Sequence, residues 1–308
     1  MPRDTLRPQR DAAARAAAAQ SLAELMASKD LDAAEDGGSR IALVAPAGRT
    51  GLVERERRVA SLLRILVPRD LRTRYRRSAF DLMWAVISPV VMLVVYGLIL
   101  TKAFGVTSTC GPYLTSAWLG LVVWMFFATS LGGGVYSLIS ASDLLTKVYF
   151  PREALPLATV GATMLDLAVG AVLAVVVLLV QGVRPGLTAV AVVVPLVLLL
   201  VWTALLTVLS ATVAVFARDT VHVVNLVLRV GFFATPVMYE SSQLPSAFAW
   251  SAKVNPLAVT IDAVRESVLC GRWPDWQLLG IHMAVGVVGL VLVVLLVRGT
   301  ESRIADVV

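Results

Sequence analysis

The chain has 308 residues, of which 58% are hydrophobic, a formal net charge of +6 and a mean hydropathy of +0.80. Soluble domains sit nearer ~45–50% apolar, so a water-soluble globular domain is excluded. Two cysteines, Cys110 and Cys270, are too few for a disulfide framework or a zinc cluster. The charge is also unevenly placed: residues 1–77 carry 16 of the 27 Lys+Arg and 10 of the 21 Asp+Glu, against 11 and 11 in the other 231 residues. A polar N-terminal part therefore precedes a membrane part.

The opening stretch "MPRDTLRPQRDAAARAAAAQ" lacks a leucine- or valine-rich core, so no secretory signal is expected. Residues 1–53 read as a mobile polar tail with the linker "EDGGSR". From 54 to 78 the pattern changes. Val59, Leu62, Leu63, Leu66, Val67 and Leu71 fall on one helical face, and nine arginines from Arg55 to Arg77 occupy much of the rest. Such an amphipathic helix is expected in the interface plane, apolar face on lipid and guanidinium groups near phosphates. Pro68 is expected to bend or break it.

A helix needs ~20 apolar residues to cross ~30 Å of hydrocarbon. Six segments qualify: about 82–101, 113–142, 154–183, 185–217, 220–239 and 276–297. The arginines before the first span fix an N-terminus inside, and six crossings return the C-terminal tail, 301–308, to the same side. Connection 143–153 is then cytosolic, and its Lys147 and Arg152 agree with that side. Region 240–275 faces outward. It holds Lys253, Asp262, Arg265 and Glu266, too many charges for a span, and Pro245 and Pro256 divide it into short helices that dip in from outside. The expected fold is all-α: an interface helix, a six-span domain over 79–300 and re-entrant helices between spans five and six.

Chemical motifs are sparse. None of the four lysines follows a glycine, so no phosphate loop is present. The two histidines, His222 and His282, lie in apolar segments and make neither a metal cluster nor a catalytic triad. The chain reads as a conduit without a cofactor of its own. Asp166 and Arg229 are charges inside expected spans, which marks them as passage residues or as a structural pair. Trp84, Tyr113, Trp118, Trp124, Trp250, Trp273 and Trp276 fall near span ends and read mostly as boundary anchors. Cys110 and Cys270 both fall on expected outer loops. They either pair there or stay as free thiols, and a Cα separation below ~7 Å decides between the two.

Several motifs together resemble one family. "VPRDLRTRYRRSAFDLMWAVISPV" (67–90) is similar to the opening run of membrane subunits of type-2 ABC polysaccharide exporters, which carry O-antigen, teichoic-acid or galactan-type polymers. Arg69, Asp70, Leu71, Arg74, Tyr75, Ser78, Trp84 and Pro89 match that run. "KVYFPREALP" (147–156) resembles the family's cytosolic connection between spans two and three, and "FARD", "TPVMY" and "NPLAVTIDAVRESVLCG" resemble later landmarks in the same order. The match covers about 67–300. Asp81 and Glu240 depart from it, standing where glycine and proline are common.

The resemblance implies a homodimer of permease subunits in a bacterial cytoplasmic membrane, with two copies of a separate ATPase that holds ATP and magnesium. Its substrate is a polyprenyl-pyrophosphate-linked polysaccharide, and no nucleic acid partner is implied. Lys147, Tyr149, Phe150, Pro151, Arg152 and Glu153 are the expected ATPase-coupling residues. Arg69, Arg72, Arg74, Tyr75, Arg76 and Arg77 are expected at the substrate entrance, facing the pyrophosphate. Pro236, Tyr239, Asn255, Pro256, Asp262, Arg265 and Glu266 are expected at the outer gate. A drug or small-lipid exporter of the same fold and an ion-coupled secondary transporter are the alternatives, the latter set against a single acid, Asp166, well inside a span.

Overall fold

The computed structural model describes residues 52–75, 79–103, 105–141 and 151–307, and all regular structure among them is helical. Nine α-helices follow in order among the described residues: α1 Leu52–Tyr75, α2 Ala79–Leu98, α3 Tyr113–Gly134, α4 Ala154–Val180, α5 Val193–Phe216, α6 Thr220–Ala234, α7 Ala249–Val254, α8 Pro256–Val268 and α9 Trp276–Val307. Among the described residues, four helical stretches are long and apolar enough to cross a membrane: Tyr113–Gly134, Ala154–Val180, Leu187–Phe216 and Trp276–Thr300. The expected first and fifth spans correspond to shorter apolar stretches, Val90–Lys102 and Thr220–Ala234. Thus α6 stops at Ala234, five residues short of the expected 239, and Thr235 to Met238 continue as a buried non-helical segment that ends at half-buried Tyr239.

The core is built on α3, which is buried on nearly every side between α4, α5, α6 and α8. Trp118, Leu121, Val123 and Phe126 are almost fully buried. Trp118 and Trp124 were expected at the membrane boundary; instead they fill this core. The Trp118 indole N–H donates to the Gly170 carbonyl at 3.2 Å, which satisfies its one polar atom. By contrast Trp250, Trp273 and Trp276 are exposed, as boundary residues should be. Close helix contact depends on small residues. A Cβ on Gly134 would come within 2.0 Å of Thr207 Cγ2, which locks α3 against α5.

Helix α1 departs from expectation twice. Pro68 does not break it, for the helix runs unbroken from Leu52 to Tyr75. Pro68 sits on the exposed side, so the Arg64 carbonyl that loses its partner faces outward, where it can be solvated. The apolar face is also spent on protein. Leu62, Leu63, Leu66 and Val67 pack against Leu155, Ala158, Ala211, Val215 and Leu138. Contacts advance in the same direction along α1 and α4: Arg55 meets Glu153, Val67 meets Gly161, and Arg74 meets Asp166. The amphipathic helix therefore lies alongside the first turns of α4.

Candidate functional site

Two polar assemblies sit at opposite ends of the helical core. The first gathers the residues expected at the outer gate. Asn255 caps α8, its side-chain oxygen accepting from the Leu257 N–H at 3.0 Å, and Pro256 follows at the first helical position. The Asn255 amide also donates to Thr235 Oγ1 at 2.9 Å, tying the cap to the segment that follows α6. Arg265, one turn from the end of α8, is 4% exposed. Its guanidinium donates to four carbonyls: Ser116 at 3.1 Å, Pro236 at 2.8 Å, Val237 at 2.6 Å and Tyr239 at 2.9 Å. A non-helical segment buried among helices leaves its carbonyls unpaired, and this one arginine satisfies three of them and joins them to the start of α3. The segment lies so close on α3 that a Cβ at Gly120 would be 2.2 Å from the Val237 carbonyl oxygen.

Glu240 follows directly. Its carboxylate accepts from Ser108 Oγ at 2.7 Å, from the Thr109 N–H at 3.0 Å and from the Thr109 hydroxyl. Burial pushes its pKa up, but the hydrogen bonds of Thr109 and Ser108 and the Arg265 charge outweigh that and hold it below the usual carboxylate range. Asp262, with Arg265 at 3.8 Å, accepts from Ser241 Oγ. Burial dominates there and raises its pKa, partly offset by Ser241 and Arg265. Glu266 is raised by burial and by the neighbouring charges of Asp262 and Asp275. Cys110 and Cys270 are paired, with Cα atoms 5.0 Å apart, so the α2–α3 loop is tied to the loop before α9. Each half-cystine is followed by a glycine in the left-handed region, Gly111 and Gly271, which lets the chain turn away from the bridge.

The second assembly lies where α4 begins. Glu153 is 2% exposed and takes two parallel hydrogen bonds from Arg55, at 3.0 and 2.9 Å. Arg298 of α9 stands 3.7 Å from the same carboxylate and donates to Glu56 at 2.9 Å. Further along α4, Asp166 pairs with Arg74 at 2.8 Å. Arg229 was one candidate partner for Asp166; it lies instead on the exposed face of α6 and makes no ion pair among the described residues.

The sequence-derived sites are placed unevenly. Pro236, Tyr239, Asn255, Pro256, Asp262 and Arg265 come together in one assembly, with Glu266 on the next turn of α8. Of the entrance set, Arg69 pairs with Asp70, Arg72 is exposed and Tyr75 closes α1, while Arg76 and Arg77 lie outside the described residues. Of the coupling set, Pro151, Arg152 and Glu153 are buried, while Lys147, Tyr149 and Phe150 lie outside the described residues. Sequence reading missed Arg55 and Arg298 as partners of Glu153. Long-range pairing has no local signal, and an arginine-rich run hides one particular arginine.

A family profile described as ABC-2 type transporter matches residues 61–269. The chain is 32% identical to the O-antigen export system permease protein RfbA of Myxococcus xanthus over 229 residues, covering 74% of this chain and 87% of that protein. Two proteins of the same name from Klebsiella pneumoniae are 28% identical over 212 residues and 27% identical over 248. The second of these alignments covers 80% of this chain and 94% of the relative. With the profile covering more than half of its length, the chain belongs to the ABC-2 type transporter family, as a membrane-spanning permease related to O-antigen export permeases.

Proposed function

We propose that this chain is the permease half of an ATP-driven exporter that moves a polysaccharide on a polyprenyl pyrophosphate carrier out of a bacterial cytosol. The observation that carries the reading is the alignment with O-antigen export permeases across three quarters of the chain. Two copies form the passage, and two copies of a separate ATPase supply the energy and hold the ATP and magnesium. Residues 1–53 and both termini lie in the cytosol. The α1 and Glu153 end is then cytosolic, and the disulfide end is outside, in a compartment where cysteines oxidise. The sealed assembly around Arg265 is the outer gate. At the entrance, exposed Arg72 meets the pyrophosphate as a charge-assisted donor. Asp166, the acid an ion-coupled relay would need, is held in an ion pair by Arg74. That pairing favours ATP drive over ion coupling.

Connection 143–156 is the docking element for the ATPase. Tyr149 and Phe150 are its apolar anchors and Lys147 its cation, the composition of a small hot spot, while Arg152 is buried and stays out of the docking surface. The test is recovery of the tagged permease from native membranes with its ATPase, followed by ATP hydrolysis and glycan export. Tyr149→Ala with Phe150→Ala should leave the permease in the membrane but lower stimulated hydrolysis and export by tenfold or more, about the loss of one or two hot-spot residues. Normal export by that variant, or a wild-type chain recovered with no ATPase, overturns the docking role.

A further inference from the structure

Glu153 belongs to the connection through which the ATPase is proposed to act, yet its side chain is 2% exposed. A residue so enclosed is not a contact for a partner. Pro151, Arg152 and Ala154 around it are buried as well. The carboxylate is held by two elements that are distant in sequence. Arg55 near the start of α1 grips both oxygens, Nε on one at 3.0 Å and Nη2 on the other at 2.9 Å. Arg298, near the far end of α9, approaches the first oxygen at 3.7 Å and reaches Glu56 with its Nη2 at 2.9 Å. Two cations and two anions balance. Glu153 also begins α4, where the helix dipole favours its negative charge.

The parallel pair of bonds from Arg55 fixes both distance and orientation, which one point contact between charges does not do. Helix α1 is then pinned to α4 a second time, by Arg74 on Asp166 at 2.8 Å. Between the two pins Val67 lies against Gly161, where even a Cβ would come within 2.7 Å. Helix α1, held at both ends and in close contact between them, moves as one body with the first half of α4.

We infer that Glu153 is the positioning residue that converts ATPase docking into movement of the permease. The Arg55–Glu153–Arg298 junction carries a displacement of the 142–150 connection into α1 and α9 together. This inference rests on the proposed ATPase coupling and adds a division of labour within it. Tyr149 and Phe150 dock, and buried Glu153 transmits. Three helices gathered on one desolvated carboxylate form the contiguous physical link that coupling between distant sites requires.

The experiment uses the full permease co-expressed with its ATPase and reconstituted in liposomes with polyprenyl-linked glycan. Glu153→Gln keeps size and shape and removes the charge. The expected result is wild-type recovery of the ATPase, continued ATP hydrolysis, and glycan exported per ATP reduced roughly two- to thirtyfold. A merely structural role would lower the amount of complex and leave that ratio unchanged. Arg298→Gln spares the bonds between Arg55 and Glu153 and decides the matter if Glu153→Gln is not inserted; its expected result is a smaller fall in the same ratio. An unchanged ratio in Arg298→Gln, or in an inserted Glu153→Gln, overturns the inference. So does loss of the ATPase from Glu153→Gln, since the residue is then a docking or folding element. Failure of the wild-type chain to recover any ATPase sinks the coupling reading itself, and is told apart because it needs no variant.

Discussion

Arg265 shows how one side chain can substitute for missing secondary structure. The segment after α6 has left the helix, so its carbonyls need donors, and a guanidinium supplies several in a fixed fork. Three of the four carbonyls it reaches lie between Pro236 and Tyr239. Lysine could not span them from one nitrogen. Replacing Arg265 with alanine strands those buried acceptors and should cost on the order of 3–5 kcal/mol, with the permease lost from detergent extracts or melting well below wild type. Arg265→Lys should recover only part of that loss. Gly120 belongs to the same construction from the other side. With the Val237 oxygen 2.2 Å from where a Cβ would sit, Gly120→Ala must push backbone. A fall of about 1–3 kcal/mol is expected, read as a lower melting temperature. A wild-type melting curve for either variant would show that the segment is not held as described.

At the scale of elements, the α2–α3 loop is attached to the rest of the outer assembly by the disulfide to Cys270, by Glu240 to Ser108 and Thr109, and by the Gln243 amide to the Thr107 carbonyl. Only the second attachment responds to pH. The folded pKa of Glu240 is held below its ordinary value, so its contribution is complete above the unfolded pKa and fades as pH falls through the folded one. Asp262 runs the other way: its folded pKa is raised, so the protonated form suits the fold, and stability falls as pH climbs from its ordinary range through the raised value. Amide exchange across residues 105–112, corrected for intrinsic rates, should therefore rise as pH drops below about 4.5, with Glu240→Gln flattening that rise. A profile identical in the two proteins would remove Glu240 from this role. Elements of this kind were only partly readable beforehand. Helical positions followed from hydropathy, because a lipid environment forces helices on long apolar runs. The pairing of Cys110 with Cys270 was one of two open readings, since only geometry brings their Cα atoms within reach. Pro68 and the apolar face of α1 misled for one reason. Periodicity states which face is apolar, not whether lipid or protein covers it, and a proline on an exposed face leaves its orphaned carbonyl facing outward. Glu153 was legible as part of a motif, but not as a buried junction, because its partners lie 98 and 145 residues away.

For the whole molecule, the informative surface is that of α6. Val223, Leu226, Val227, Val230 and Phe233 are all more than half exposed, and Arg229 lies among them. The same surface carries Asn225, whose amide donates to the Tyr136 hydroxyl at 3.5 Å. A face with an arginine near its middle is a poor fit for lipid, where a central charge costs about 2.5–3.5 kcal/mol on insertion scales. By contrast α9 exposes Val288, Val291, Leu292 and Leu295, all apolar, as a lipid-facing helix should. In the proposed dimer α6 therefore turns toward the passage and the second copy, and α9 toward lipid. Arg229→Cys and Val291→Cys separate the two environments. The natural cysteines are paired, so each variant adds one thiol. A membrane-impermeant, charged thiol reagent applied to intact membranes needs thiolate and water, and should modify Cys at 229 far faster than Cys at 291, with the rate at 229 changing when ATP is supplied. Equal protection at both positions would put Arg229 in a dry contact and remove it from the water path. Equal reactivity would mean that α9 is not the lipid-facing helix, and the assignment of the two faces would have to be reversed or abandoned.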